Sequence, residues 1–301
     1  MKNETLPNKP SIIRIKEGDG GMKIIRKECP VCNSKNVRII DVEKGISKCL
    51  NCEMLYLREL PTSNPHTKFR EYNGKVGKYI VGKRIIEEFQ EFRNQNRVLD
   101  FGCGSGKRLL KFKEDDWGVF GVEINENAIK LALKENGLVL NRSITDFPDN
   151  FFDIVIMSDV LEHLYDLKFY IKEVKRVLRD GGLFIGVTVN GNSWLCKIFG
   201  TNWDRVFTFR DNSFHCNYFS LESLNLLFKG FNEINIDNRY DELSLTTLCD
   251  YFSHSENYGA KREPIKCFEV IHKVVTIPDY PLRLLNRKFN GAGFFIIEAV
   301  K

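Results

Sequence analysis

The chain has 301 residues, of which 43% are hydrophobic, so it can form one large domain with a substantial core and a smaller domain beside it. Its net charge of +5 comes from scattered basic residues, which is weaker than the clustered excess of a dedicated nucleic-acid binder. Residues 1–20 are polar and no apolar run reaches ~18 residues, so we expect no signal peptide, no membrane insertion and a cytoplasmic location.

Two cysteine pairs near the N-terminus predict a metal site that follows a flexible leader over residues 1–25. Cys29-Pro-Val-Cys32 and Cys49-Leu-Asn-Cys52 are sixteen residues apart. Two such knuckles offer four thiolates, which suits tetrahedral zinc, and the spacing is typical of a zinc ribbon. Residues 26–57 are therefore predicted to form a ribbon with a structural Zn²⁺ and hairpin strands at 36–40 and 45–48. A redox pair is the alternative for a single C-x-x-C, and the second pair disfavours it.

The segment after the ribbon changes from polar to amphipathic. Residues 58–77 contain two prolines and two glycines and are expected to form a linker. Residues 78–93 have apolar side chains at helical spacing, which predicts a helix that packs on the sheet ahead of its first strand.

A glycine-rich turn follows the first predicted strand of the large domain. The sequence from Val98 to Gly106 reads Val-Leu-Asp-Phe-Gly-Cys-Gly-Ser-Gly, a buried strand that ends in three glycines at alternate positions. A dinucleotide fingerprint is G-x-G-x-x-G, which would require glycine where Lys107 stands. The next strand, 118–124, contains Glu123, an acid placed to bind both hydroxyls of a ribose. The pattern indicates a nucleotide-like ligand that is not a dinucleotide.

The rest of the chain alternates strands and helices, as in an α/β fold with a parallel sheet. Asn125 and Ser220 are predicted helix caps, and the apolar run at 153–158 is typical of a strand that is covered on both faces. The predicted strands are 97–101, 118–124, 138–140, 153–158, 183–189, 233–236 and 293–300, and the predicted helices are 107–113, 126–136, 167–178 and 220–229.

The glycine turn, Glu123, Asp159-Val-Leu-Glu-His-Leu164 and Arg179-Asp-Gly-Gly182 stand in the order found in class I S-adenosylmethionine (SAM)-dependent methyltransferases. In these motifs the chain resembles that family, in particular the small-molecule type of the ubiquinone-biosynthesis O-methyltransferases with a zinc ribbon in front. The resemblance implies a doubly wound, Rossmann-like sheet of seven strands over residues 78–301, in the order 3-2-1-4-5-7-6 with strand seven antiparallel. Insertions at 190–219 and 239–290 would form a helical lid.

The resemblance also implies a SAM site. The turn residues would surround the methionine part, Glu123 would bind the ribose with Ile124 beside it, and Ser143 and Ile144 stand where the family often has an acid for the adenine. That departure leaves two alternatives, in which either Asp146 substitutes or the backbone binds the adenine. The candidate cofactor residues are Asp100, Gly102, Cys103, Gly104, Gly106, Glu123, Ile124, Ser143, Ile144, Ser158 and Asp159.

Two histidines are the candidate catalytic residues. His163 has three compatible roles: a general base, since imidazole titrates near neutrality, a ligand of a divalent metal together with Asp159 and Glu162, or a structural residue. His215 precedes a Phe-Ser helix start in a loop that resembles the lid of small-molecule methyltransferases, and it is the preferred base. Trp194, Trp203 and Tyr218 are candidates for the acceptor site or for core packing, whereas His66, His254 and His272 belong to no motif.

Three functions fit these patterns. The first is a methyltransferase that acts on a small oxygen-bearing metabolite such as a sugar, a quinone precursor or a secondary metabolite, with O-methylation assisted by a histidine. The second is an RNA or protein methyltransferase whose ribbon binds the macromolecule. It is disfavoured because the ribbon has few basic residues and Ser158-Asp-Val-Leu161 replaces the Asn/Asp-Pro-Pro-aromatic motif. The third is a binding protein that keeps SAM as a structural ligand. The oligomeric state is not predicted.

Overall fold

The computed structural model describes residues 12–16, 22–60, 89–136, 140–141, 143–193, 196–197, 200–202, 209–210, 213–238 and 294–301. Within these ranges, no helix combines the length and the apolar character needed to cross a lipid bilayer. The predicted lid at 239–290 lies outside the described residues, as do positions 61–88, which hold most of the predicted linker and amphipathic helix. The described end of that helix, Phe89–Phe92, is a single 3₁₀ turn.

The described residues up to position 60 form six short strands, β1 to β6: Ile12–Lys16, Met22–Arg26, Val37–Asp41, Ile46–Cys49, Leu55–Leu57 and Glu59–Leu60. β1 pairs antiparallel with β2, and β2 pairs with β6. The prediction of a flexible leader over residues 1–25 is therefore wrong for β1 and β2. Each of these strands carries three apolar side chains, and the backbone groups of β2 find partners on both sides.

A seven-stranded sheet forms the centre of the large domain. All seven residues of its middle strand are buried, as expected for a parallel strand covered on both faces. In chain order the strands are β7 Arg97–Phe101, β8 Gly118–Val122, β9 Leu140–Asn141, β10 Phe152–Ser158, β11 Leu178–Val189, β15 Glu233–Asp237 and β16 Phe294–Val300.

The order of these strands in space confirms the predicted topology. Across the sheet the order is β9-β8-β7-β10-β11-β16-β15, and β16 runs antiparallel to both of its neighbours. Numbered within the domain, this is the order 3-2-1-4-5-7-6. β11 starts at residue 178 instead of 183, because Leu178 pairs with Phe152 before a register shift. The carboxyl ends of β7, β8 and β10 meet at the same edge, where a ligand of an open α/β sheet binds.

In the described part of the chain four helices of eight or more residues connect these strands, and local signals explain where three of them begin. They are α1 Lys107–Glu114, α2 Glu126–Asn136, α3 Leu167–Val177 and α4 Leu221–Phe228. The Asn125 side chain accepts hydrogen bonds from the amides of Asn127 and Ala128, and Ser220 and Ser223 form a reciprocal capping box before α4. The side chain of Asp166 caps α3.

The cysteine-rich segment shares a sheet and a core with the large domain. Its strands β3, β4 and β5 continue into β14, Asn217–Tyr218, which belongs to the insertion after β11. Met54 and Tyr56 are buried in the same apolar cluster as Leu161 and Phe219. The segment predicted as a ribbon at 26–57 thus packs directly on the large domain. The same insertion contains a short hairpin, β12 Phe209–Arg210 and β13 Ser213–Phe214.

Candidate active site

The glycine turn after β7 has a backbone that only glycine adopts easily. Gly102, Gly104 and Gly106 have φ angles of 78°, 57° and 78°. A Cβ atom on Gly102 would lie 2.5 Å from Cγ2 of Val160, so the turn also packs tightly against the loop after β10. The turn ends in α1, whose first residue is Lys107.

Glu123 lies directly across from this turn. One carboxylate oxygen accepts the amide of Gly104 at 2.9 Å, and the other accepts the amides of Ile124 and Asn125 at 2.7 Å each. A carboxylate can accept further hydrogen bonds, so Glu123 keeps acceptor capacity for a diol. The side chain of Ile124 beside it is 56% exposed, although it is large and apolar. The ends of β7 and β8 therefore present a hydrogen-bond acceptor next to an apolar surface.

Asp100 is fully buried beneath the turn. Its Oδ1 accepts a hydrogen bond from Arg108 at 2.8 Å, whereas its Oδ2 is buried without a hydrogen-bond partner. Burial raises the pKa of Asp100, and the Arg108 guanidinium opposes that rise. Burial also raises the pKa of the Cys103 thiol, so this cysteine stays protonated and is no nucleophile.

The remaining candidate cofactor residues lie in or next to two loops. Ser143 begins a 3₁₀ turn at Ile144–Asp146, and the Asp146 carboxylate accepts the Ser143 amide at 3.1 Å, so Asp146 is already used as a local cap. Ile144 is completely buried. Ser158, the last residue of β10, donates its hydroxyl to Asp159 at 3.0 Å, and Asp159, the first residue of the following loop, has a φ of 58°.

The structure brings both candidate catalytic histidines together. The rings of His163 and His215 meet edge to face, with centroids 4.9 Å apart, and His215 is buried. Glu162 lies beside them, and one potential ligand atom from each of the three residues is within 4.8 Å of the others. Asp159, which the sequence grouped with Glu162 and His163, is not part of this cluster. Tyr218 donates its hydroxyl to the backbone oxygen of His215 at 2.7 Å and so supports the loop.

Glu162 is buried, and its environment favours the neutral carboxyl group. Burial is the main cause and the Asp159 charge the second, and together they raise the pKa of Glu162 to about 8. The Thr188 hydroxyl donates to Glu162 at 2.9 Å. At neutral pH this side chain is mostly protonated, so the histidine pair has no full negative charge from Glu162 beside it.

The four N-terminal cysteines converge as the spacing predicts. The Sγ atoms of Cys29 and Cys52 are 3.5 Å apart, and so are those of Cys32 and Cys49; all four lie within 4.8 Å of one another. The Cys52 thiol, by hydrogen bonding to Cys29, lowers the pKa of Cys29 to about 5.

Other predicted residues lie outside the described part of the chain, or contribute in ways that the sequence did not indicate. Trp194, Trp203, His66, His254 and His272 are not described, and Tyr218 is in the core. Sequence reasoning missed Arg108, Val160 and Thr188, which support Asp100, Gly102 and Glu162, because nothing in their local pattern indicates a partner. Arg26, one of the few basic residues of the predicted ribbon, is 2% exposed, and nothing in the sequence indicated its burial.

Comparison with known proteins agrees with this architecture. A family described as "Methyltransferase domain" matches residues 72–233. Ubiquinone biosynthesis O-methyltransferase of Cereibacter sphaeroides is 28% identical over 46% of this chain and 64% of its own length. The mitochondrial arginine-hydroxylase NDUFAF5 of Rattus norvegicus is 23% identical over 60% of this chain and 51% of its own length. The chain thus spans about half to two thirds of the length of these curated relatives.

Among solved structures, a SAM-dependent methyltransferase from Archaeoglobus fulgidus matches with a TM-score of 0.50. It is 23% identical, and the match covers 78% of this chain and 97% of that one. At this identity the likeness establishes the fold.

Proposed function

We propose that this chain, which belongs to the methyltransferase-domain family, is a SAM-dependent methyltransferase that methylates a hydroxyl group of a small metabolite with a histidine as the base. Sugars, quinone precursors and secondary metabolites are the acceptor classes. The observation that carries this proposal is the contact between His163 and His215, which come from two different loops.

The residues at the sheet edge fit SAM. Asp100 has a buried carboxylate oxygen without a partner, Glu123 has spare acceptor capacity, and exposed Ile124 offers an apolar surface to a purine. We assign the methionine part to residues 100–106 with Ser158 and Asp159, the ribose to Glu123, and the adenine to Ile124, Ser143 and Ile144. When bound, SAM supplies an electrophilic methyl group whose leaving thioether is neutral.

The chain's own residues then orient the acceptor and remove its proton. We assign the base to His215: one imidazole nitrogen takes the hydroxyl proton while the oxygen forms its bond to the methyl carbon. General base catalysis of this kind typically contributes about 10²–10⁴ in rate. The edge of His163 packs against His215 and restricts the orientation of its ring. Burial of His215 keeps bulk water away from the proton transfer.

A divalent metal at the same place is the alternative role for these side chains. Glu162, His163 and His215 offer one carboxylate and two imidazoles, a set that suits first-row transition metals. The two roles predict different responses to a chelator. With a histidine base, methyl transfer survives EDTA, whereas a metal-dependent reaction stops and returns when Mn²⁺ or Fe²⁺ is added.

The four cysteines fit a structural zinc ion. Zn–S bonds of about 2.3 Å place the sulfurs of a tetrahedral site roughly 3.8 Å apart, close to the 3.5 Å observed for two pairs. Cys29, Cys32, Cys49 and Cys52 would fill every position, so the ion would stabilise the N-terminal strands and take no part in catalysis. Metal analysis of the purified protein tests this assignment: Cys49→Ser should lose the zinc that the unmodified chain retains.

A macromolecular acceptor is less well supported. One of the ribbon's few cations, Arg26, is buried and cannot reach a phosphate. Lys48 is paired with Glu53 at 3.3 Å. The ribbon therefore offers little of the charge that a sequence-independent hold on RNA requires.

The test is to incubate the protein with methyl-labelled SAM and a fractionated cell extract, beside His215→Gln and His163→Gln. Label should enter small molecules. His215→Gln should lose most of it, by about 10²-fold or more, at unchanged SAM affinity. His163→Gln should lose less. Label that enters only RNA or protein would overturn the proposed acceptor class, and full activity of His215→Gln would overturn the base.

A further inference from the structure

Arg26 is a buried cation of the cysteine-rich module, that is, residues 22–60. The described hydrogen-bond acceptors of its guanidinium all lie outside this module. Arg26 lies at the end of β2 and is 2% exposed. Its Nη1 donates to the backbone oxygen of Cys216 and to Oδ1 of Asn217, at 3.0 Å each. Its Nη2 donates to the backbone oxygens of Tyr165 at 3.1 Å and Leu164 at 3.4 Å.

The positions of these acceptors give Arg26 its significance. Leu164 and Tyr165 are the two residues after His163, and Cys216 and Asn217 are the two residues after His215. Nη1 therefore holds the loop after His215, and Nη2 holds the loop after His163 and also contacts Cys216 Sγ at 3.9 Å. A planar guanidinium with separate donors can do this, whereas the single ammonium of a lysine cannot serve both loops in the same geometry.

The module holds the His215 loop by several further contacts. Strand β5 pairs with β14, and the amide of Leu57 donates to the backbone oxygen of Cys216 at 3.0 Å. The Ser220 hydroxyl donates to the backbone oxygen of Cys52, one of the four clustered cysteines, at 2.6 Å. The backbone after His215 is thus part of the module's own sheet.

The energetic cost of this arrangement points to a role beyond covering apolar surface. All the oxygen acceptors of Arg26 are uncharged, and its Nε is buried without a hydrogen bond. A buried charge without a carboxylate partner is expensive, and an apolar side chain would cover the same surface more cheaply. The guanidinium adds what an apolar residue cannot add, namely hydrogen bonds from the module to the backbone of both loops. These act beside the direct bonds between the loops, from the Cys216 amide to the Glu162 backbone oxygen at 2.8 Å and from Asn217 Nδ2 to the Leu164 backbone oxygen at 2.7 Å.

We propose that Arg26 is a positioning residue that sets the spacing of His163 and His215, and that the cysteine-rich module, by holding both loops, positions the acceptor site. The first half concerns only the geometry of the two rings. The second half rests on the proposed function, since it takes the histidine pair as the place where the acceptor binds. Arg26 touches neither SAM nor acceptor in this scheme.

The test uses the full-length protein labelled with ¹⁵N-histidine, because imidazole nitrogen signals report ring environment without any turnover. Arg26→Gln removes the two-loop contact, Arg26→Lys keeps the charge, and Lys168→Gln is the matched control. Lys168 also joins the module to the large domain, but it does so through Oδ1 of Asn33 at 2.7 Å, and Asn33 belongs to neither histidine loop. The signals are assigned with His163→Gln and His215→Gln among the five histidines.

In Arg26→Gln the imidazole nitrogen signals of His163 and His215 should change, while the signals of the other three histidines stay as they are. SAM affinity should stay within about twofold of that of the unmodified protein. Arg26→Lys should restore the histidine signals only in part, and Lys168→Gln should leave them unchanged. If Arg26→Gln fails to fold, the histidine signals of Arg26→Lys test the proposal in its place. Unchanged histidine signals in a folded Arg26 variant would overturn the proposal, as would an equal change in Lys168→Gln. A failed methyl-transfer assay would refute the proposed function without affecting this result.

Discussion

Replacing Gly102 with alanine should weaken both the fold and SAM binding. Two costs combine at this position. The φ of 78° disfavours an L-residue by about 1–2 kcal/mol. The new methyl group would also lie 2.5 Å from Cγ2 of Val160, and overpacking of this kind costs typically about 1–3 kcal/mol. Reduced freedom of the unfolded chain returns about 0.4–1 kcal/mol. The expected net loss is therefore about 2–4 kcal/mol.

Two other glycines separate these costs. Gly45 has a φ of +64°, and a Cβ atom added to it would meet no described atom within 4 Å, so Gly45→Ala carries only the backbone cost. Gly121 has no such φ, but its Cβ would lie 2.5 Å from Leu140 Cδ2 and 2.7 Å from Cys103 Sγ, so Gly121→Ala carries only the steric cost. Val160→Ala removes the atom that the Gly102 methyl group would meet, and it should recover part of the loss in a double-mutant cycle.

Urea denaturation and calorimetric titration with SAM measure both effects. Gly102→Ala should lose more stability than Gly45→Ala and bind SAM at least about tenfold more weakly, which corresponds to about 1.4 kcal/mol. Gly45→Ala, at a turn of the cysteine-rich module, should keep SAM affinity. If Gly102→Ala is no less stable than Gly45→Ala and binds SAM normally, the tight approach of the turn to Val160 is not what positions the ligand.

Three further predictions concern single carboxylates. Glu123→Ala should lower SAM affinity at least about tenfold in calorimetry, whereas Glu126→Ala, an acid in the first turn of the next helix, should not; equal effects would remove the ribose assignment. Because the pKa of Glu162 is raised to about 8, the folded state binds its proton more tightly than the unfolded state, so stability should fall as pH rises from about 4.5 to 8, by roughly 5 kcal/mol at most. Glu162→Gln should flatten that dependence in urea unfolding series at several pH values, and an unchanged slope would contradict the buried neutral acid. Burial alone would raise the pKa of Asp153, but hydrogen bonds from the Gln95 amide, the Arg179 side chain and the Arg97 amide outweigh it and lower the pKa below 3.8. The stability that Asp153 contributes is thus present at neutral pH and lost as pH falls through that lowered pKa. Asp153→Asn should lower the free energy of unfolding by about 3–5 kcal/mol, while the folded fraction keeps its SAM affinity. A loss below about 1 kcal/mol would refute the buried pair of Asp153 and Arg179.

Local patterns in the sequence determined much of the fold. Strand β7 and helix α2 have the predicted bounds, because apolar periodicity and the Asn125 cap act over a few residues. The spacing of the three glycines and the two C-x-x-C pairs are also local patterns. A turn suited to a nucleotide-like ligand and a cluster of four cysteines were therefore predictable. The sheet order followed from the resemblance to a known family and from no local signal.

Tertiary structure alone decided which of these pieces meet. Glu162 and His163 lie about fifty positions before His215, and only packing of the two loops brings the three side chains together. Arg26 is 190 residues away from Cys216, whose backbone it holds, and no local pattern around Arg26 indicates that partner. Strand β2 appeared to be part of a flexible leader because its partners, β1 and β6, are short and unremarkable in sequence. Hydrophobic periodicity and helix caps act between neighbours in the chain, whereas the pairing of strand edges and the burial of a charge depend on partners that only the folded chain supplies.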